Sequence, residues 1–391
     1  MSRWAWAGMF IGWRKYQVMN AQNGKPLLAS RAASLKSLVE GALRRGRDLS
    51  HADLSDTVIR DLSAPGAKLV NTVLRSAVLG AADLSGADLR RVVAGGVRLE
   101  RADLTEAQLG EARMDGAHRN RATLNLVQAA RAHMVGTNLH SALFREASLV
   151  GANLQYATLD LADMTGADLT GADLRHANLH GTVFHGATLN GAQVDLLDLR
   201  EARLAGAIMD SFDLSDADFS DIDMTRTKLP QGRLGKTDFS GTTLIGASLW
   251  EANAKEARFS RARMDGADLI HIKAKKADFS GANLARARMM GGEFQQATFT
   301  GADLTGADLS HADLSGANLT GARVSVSQDF SLTNLSGARL DDLVIVDRHG
   351  EPVDNMRLTR DGKFEPVTPP KGPPRIAAPK TERTGILGVF S

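Results

Sequence analysis

Gly301-Ala302-Asp303-Leu304-Thr305-Gly306-Ala307-Asp308-Leu309-Ser310-His311-Ala312-Asp313-Leu314-Ser315-Gly316-Ala317-Asn318-Leu319 repeats one five-letter phrase almost without error. A large apolar residue returns at every fifth position. Ala stands two places before it, and Asp or Asn one place before it. With that apolar residue taken as the centre of each repeat, centres fall on every fifth position from Leu49 to Val324 with no break in register, making 56 repeats. Fifty of the 56 are Leu, Ile, Val, Met or Phe; the exceptions are Ala64, Ala94, Ala129, Ala254, Ala274 and Arg119. Two places before the centre, 38 of the 56 residues are Ala.

A period of five fits neither regular element. On an α-helix, successive centres would rotate by about 140° and spread apolar residues around the whole axis. On a flat strand an odd period would alternate faces. The chain must therefore turn once per repeat, and the Gly or polar residue two after the centre supplies the turn. Each repeat becomes one side of a coil, with the Ala and the centre inside and three residues outside.

Together these features resemble the pentapeptide-repeat family, whose motif is a small residue, Asp or Asn, Leu or Phe, a small polar residue, and Gly. The resemblance covers about three quarters of the chain. It implies an all-β fold, a right-handed quadrilateral β-helix solenoid with four repeats per coil. Fourteen such coils, stacked at the inter-strand spacing, give a rod about 65–70 Å long. Columns of stacked centres hold it together, each buried centre contributing roughly 1.5–3 kcal/mol. The two ends are open edges that need covers.

The flanking sequence is read accordingly. Residues 1–30 form an N-terminal arm. Residues 31–46, with Leu35, Leu38 and Val39 on one face, form a capping helix. The β-helix runs over 47–345. After Val324 the register slips by one residue, and centres resume at Phe330, Leu335, Leu340 and Ile345. Residues 346–364 make a hairpin over the C-terminal end, and 365–391 a Pro-rich extended tail. Within the rod, Arg119 at a centre is expected to point outward from a bulged coil, because a buried unpaired guanidinium is costly. Large residues at the Ala position (Leu62, Val92, Val97, Val127, Leu197, Phe212, Ile222, Ile272) mark expected distortions, and Pro230 is placed at a corner.

Composition narrows the chemistry. The absence of Cys removes disulfides, thiolate zinc sites and Cys nucleophiles. Asp83, Asp103, Asp168 and Asp303 occupy a motif position that bonds nearby backbone. His176, His180 and His185 sit on successive repeats and so face different sides. No phosphate-binding or dinucleotide fingerprint occurs. We therefore expect no enzyme, no cofactor and no metal. The apolar stretch Trp4 to Trp13 is too short to span a bilayer and is a poor signal peptide. The protein is expected to be soluble, cytoplasmic or assembled into a particle.

Charge is distributed unevenly. Residues 1–48 carry nine basic and two acidic side chains, whereas 49–324 carry 29 basic and 34 acidic, a net of −5. An acidic band at 195–223 includes Asp213, Asp216, Asp218 and Asp221, and a basic band at 255–288 includes Arg261, Lys273, Lys275 and Lys276. Opposed bands can fix the register of a partner. The leading functional expectation is a non-catalytic structural scaffold for protein–protein interaction. On this reading it is docked into a larger assembly (a capsid, tail, or secretion or injection apparatus) through apolar anchors at Trp4, Trp6, Trp13, Leu387 and Phe390, as an assembly subunit or homo-oligomer. The resemblance implies an alternative, since some members mimic duplex DNA and bind DNA gyrase; a net of −5 over the repeats argues against it. A secreted host-directed effector, with 1–48 as its signal, is a third reading. Neither a small-molecule substrate nor nucleic acid is expected as a partner.

Overall fold

The computed structural model describes residues 14–359 and 362–367. Its repeats stack through parallel bridges between residues 20 apart: Asp53 to Val73, Val58 to Val78, Ser63 to Asp83 and Lys68 to Asp88. Twenty residues are four pentapeptides, so four repeats make one coil and each bridge starts a ladder along one side. After Val324 the pairings lengthen to 21 residues, as in Asn318 with Arg339 and β4 (Arg323–Ser325) with β5 (Val344–Val346). That is the one-residue slip read from the sequence.

The repeat letters map onto this geometry. In the regular coils the residue two after the centre adopts a left-handed conformation, whether it is Gly301 at φ +65 or Leu161 at φ +58. The Asp before the centre caps the turn: Asp103 Oδ1 accepts from the Thr105 backbone N–H at 2.9 Å and from its hydroxyl at 2.6 Å. Thr in the Ala position stays buried because its hydroxyl donates to a carbonyl of the preceding coil, as Thr242 does to Phe219 O at 2.6 Å. Phe219, Phe239, Phe259, Phe279 and Phe299 form one stacked column inside the tube. Pro230 takes the position after the centre, whose amide makes no coil-to-coil backbone bond in the neighbouring coils, so the ladder loses nothing there.

The N-terminal end differs from the expected arm. Strands β1 (Arg14–Asn20) and β2 (Pro26–Ala32) form an antiparallel hairpin, and β1 pairs onward with β3 (Ala52–Asp53) of the first coil. Val18 and Leu28 are buried, so residues 14–30 belong to the folded body. The helix expected over 31–46 is shorter: α1 spans Leu35–Arg44. Ser34, just past the end of β2, starts α1 through a reciprocal capping box with Ser37. Leu38, Val39 and Ala42 are buried, and Glu40 Oε1 accepts from the Ser63 amide of the first coil at 3.0 Å. At the other end β6 (Met356–Leu358) pairs with β7 (Phe364–Pro366), so ordered strand runs past residue 364. Phe330 packs edge-on against Phe364 at 6.0 Å.

Arg119 is a correction. It points inward and is fully buried. No bulge forms: the bridges of His118 to Arg98 and to Asn138 are intact, so Arg119 stacks between Leu99 and Leu139. Its guanidinium lies among Met114 and Met134 sulfurs, its Nε has no partner among the described residues, and burial pushes its pKa down to about 9. The ladder bonds of this coil outweigh the charge's preference for water.

Large residues at the Ala position also behave differently from expectation. Leu62, Val92, Val97, Val127 and Ile272 are buried in regular coils. Leu197 alone among them is expelled, 81% exposed, on a short helix α2 (Leu196–Arg200) that replaces one side of a coil. Here the ladders break. Among the described residues no bridge joins Asn178 to Asp198, Gln193 to Asp213, Asp198 to Asp218, or Arg203 to Asp223, whereas Thr188–Ile208–Lys228 continues unbroken.

Candidate interaction surface

Every ladder places outward side chains in columns along one side of the rod. The acids singled out from the sequence divide between two adjacent sides. Asp213 and Asp216 share a side with Arg233, and Asp218 and Asp221 lie on the next. Asp213 is paired with Arg233 at 2.9 Å, and Asp218 approaches Arg200 at 3.8 Å. The Ser215 hydrogen bonds, then Arg233, hold the Asp213 carboxyl below its usual range; Ser220 does the same for Asp218. Asp198 on α2 moves the other way, raised by burial with Asp195 and Glu201 beside it. Asp216 and Asp221 are exposed and have no ion-pair partner among the described residues.

The basic band separates into two kinds of residue. Arg258, Arg286 and Arg288 are paired with Asp238, Asp265 and Asp268 of the preceding coil. Lys273, Lys275 and Lys276, with Lys236 two coils earlier, are exposed on one side and make no ion pair among the described residues. Arg261, on the next side in the column of Asp221, is likewise exposed and makes none among the described residues. The lysine side carries more positive than negative charge, with Glu256 in the column between Lys236 and Lys276 and Glu293 bridged to Lys273, and the same side carries Asp213 and Asp216 about 14 Å up the rod.

A second feature becomes visible when the sequence is read down the 20-residue coil. The ladder Lys228–Ser248–Asp268–Arg288 stacks the residues two places on, Pro230, Trp250, Ile270 and Met290, into one apolar column outside the tube. Reading every twentieth residue would have found it; reading every fifth hides it.

The three histidines do not converge. His176 Nδ1 lies 3.0 Å from Asp195 and its ring stacks on Tyr156 at 4.8 Å; His180 meets Glu201 at 3.3 Å; His185 meets Ala205 O at 3.0 Å. Among the described residues no three His, Asp or Glu are placed to hold a metal ion, and no helix is long and apolar enough to cross a membrane. Trp4, Trp6, Trp13, Leu387 and Phe390 lie outside the described residues.

The sequence model of pentapeptide repeats matches the chain in overlapping stretches that together run over 52–118, 124–195 and 198–325, well over half its length. The chain belongs to the pentapeptide-repeat family. Proteins of this family fold as right-handed β-helices. The two interruptions of the match begin at Arg119, where a charged centre sits in an otherwise regular coil, and at Leu196-Leu197, where α2 replaces one side of a coil. No curated protein matches the chain. Among solved structures it is similar to QnrB1, a plasmid-mediated fluoroquinolone resistance protein, at 18% identity over 49% of this chain and 88% of that one, with a TM-score of 0.29. It is also similar to HetL of the cyanobacterium Nostoc, at 24% identity over 81% and 98% with a TM-score of 0.18. A pentapeptide repeat protein of the Arabidopsis thaliana thylakoid lumen matches at 33% identity over 26% and 68%, TM-score 0.18.

Proposed function

We propose that this pentapeptide-repeat protein is a non-catalytic interaction scaffold, a four-sided rod that holds a partner protein along its length and is docked into a larger assembly through its terminal segments. On this reading α1 and the β1–β2 hairpin cap one end of the rod, and the β6–β7 hairpin covers the other. The observation that carries the reading is the lysine side. Lys236, Lys273, Lys275 and Lys276 are exposed and, among the described residues, unpaired, while Arg258, Arg286 and Arg288 are paired with acids one coil away. A cluster of free positive charge on one side of a rigid element favours an acidic partner and fixes its register. Lys, unlike Arg in a bidentate pair, is a flexible point charge suited to such a surface.

The test uses the full chain in the cells that make it. Size fractionation should place it in a complex larger than the monomer. The triple change Lys273→Glu, Lys275→Glu, Lys276→Glu, and separately Trp4→Ala with Trp6→Ala and Trp13→Ala, should each release it while leaving its melting temperature unchanged. A monomeric native protein, or a complex indifferent to both variants, would refute the scaffold reading. The DNA-mimic alternative is separated by a supercoiling assay. Gyrase inhibition by the purified protein, lost on charge reversal at Asp213, Asp216, Asp218 and Asp221, would establish it instead. The unpaired lysines oppose that outcome, since duplex DNA presents a negative charge about every 1.7 Å of axis.

A further inference from the structure

We infer that the rod is built as two rigid segments, roughly residues 49–192 and 213–324, joined by a hinge at the coil that contains α2. In the regular coils, neighbours are tied by one ladder on each of four sides. Between the coil at 193–212 and the coil at 213–232, all of them described residues, three of the four ladders are missing and only Ile208 to Lys228 remains. The backbone bonds that survive across this junction gather on that side: Lys228 N to Ala207 O, Met209 N to Lys228 O, Ser211 N to Pro230 O, and Gly206 N to Thr225 O at the nearest corner. On the other sides the amides of Asp213, Asp218 and Asp223 have no hydrogen-bond acceptor among the described residues, although their counterparts one coil on, Arg233, Asp238 and Thr243, each have one. A groove of about 500 Å³ lined by Gln193, Asp195, Phe212, Asp213, Ser215 and Arg233 opens on one of the unladdered sides.

The interior does not share the break. Leu199, Leu204, Met209, Leu214, Phe219 and Met224 are all fully buried. The junction is thus held by apolar packing, which is non-directional, by one line of backbone hydrogen bonds, which is directional, and by the Arg200 side chain of α2, whose Nη2 donates to Ser220 O and Oγ at 3.3 Å. Such an arrangement resists separation but lets one segment tilt about the remaining ladder. The sequence supplies the cause. Leu197, Phe212 and Ile222 all fall at the narrow Ala position within two coils. Phe212 is seated inside and Ile222 is half-buried, but Leu197 is expelled with α2.

The chain has no Cys, so paired spin labels can be placed without background. Arg60→Cys with His180→Cys, and His140→Cys with Ser260→Cys, both span six coils on the side opposite the surviving ladder, about 29 Å apart. The first pair lies within one segment and the second crosses the hinge. In the full chain the crossing pair should give a distance distribution at least about twice as broad as the other. Leu196→Gly with Leu197→Ala rewrites residues 196–200 to match Gly171-Ala172-Asp173-Leu174-Arg175, a regular repeat, and should narrow the crossing pair to the width of its control. Equal widths in the unaltered rod would overturn the hinge, as would a crossing width that the folded double variant leaves unchanged. Should that variant not fold, hydrogen exchange of the unaltered chain decides: the 213–224 segment should exchange at least about tenfold faster than 233–244, and equal protection would overturn the proposal.

Discussion

Arg119→Leu should stabilise the protein. The side chain is fully buried, and among the described residues its Nε has no partner and no carboxylate lies against it. Burial alone lowers its pKa from the ordinary arginine range to about 9, so holding it charged at neutral pH is unfavourable by on the order of 3–5 kcal/mol. Leu79, Leu99, Leu139 and Leu159 are buried in the same column, and the bridges on either side of Arg119 are intact, so a Leu there completes a run of five without moving backbone. The shorter side chain leaves a void beside Met114 and Met134, worth about 1–2 kcal/mol. The net expectation is a gain of about 2–3 kcal/mol at pH 7, the direction found when unpaired buried charge gives way to apolar packing. Denaturant unfolding of both proteins side by side measures it. The pH dependence is a sharper check. A cation with a depressed pKa holds its proton less tightly in the native state, so its penalty is complete below about pH 9 and fades as pH rises from there toward the ordinary arginine range. The advantage of Arg119→Leu should shrink over that range, with lysine and tyrosine titrations cancelling between the two proteins. A loss of more than about 1 kcal/mol on Arg119→Leu would show the guanidinium to be specifically stabilised and would refute the reasoning.

Phe259→Ala removes the middle of the stacked Phe column and should lose about 3–5 kcal/mol in the same unfolding measurement. Leu309→Asp places a carboxylate in the most regular stretch and should lose several kcal/mol or prevent folding, read by circular dichroism. Removing residues 14–32 deletes both strands that edge the first coil along with buried Val18 and Leu28, so the shortened protein should aggregate, as light scattering would show. Acid should weaken the rod in a defined window: the Arg175 and Gln155 hydrogen bonds hold the Asp173 carboxyl down to about 2, so its contribution is complete above about pH 4 and is lost as pH falls toward 2. Asp173→Asn should flatten that part of the acid-unfolding curve, and an unchanged curve would show the bond to be unimportant.

The coil was legible because its signal is redundant. Fifty-six repetitions average out local noise, and both the period and the slip after Val324 reappear as 20- and 21-residue pairings. The ends were less legible because they are not repeats. A hairpin at 14–32 has only ordinary strand and turn letters, with Asn20 to Gly24 as its turn, and the helix that carries Leu35, Leu38 and Val39 on one face begins four residues later than the expected 31–46. Surface features were hidden by the unit chosen for reading. The lysine side and the apolar column at Pro230 to Met290 emerge only when residues 20 apart are placed together.

The two irregular coils show why local rules misjudge a solenoid. Taken singly, Arg119 is the worse offender, a charge where every neighbour is apolar, and Leu197 is merely large. The structure reverses the ranking. Arg119 stays inside because the coil around it is otherwise sound: Ala117 and Ala122 fill their narrow positions, and the ladders on either side would have to break to let it out. Leu197 leaves because its neighbours crowd the same space, with Phe212 and Ile222 following at the same narrow position within 25 residues. In a one-dimensional stack each coil answers only to its nearest neighbours. A single misfit is therefore held by intact coils above and below, whereas adjacent misfits have no regular coil to hold them and the ladders part. The same logic makes the break local: regular pairing resumes by Asp213 to Arg233, and a crowded pair of coils becomes a joint without unfolding either segment.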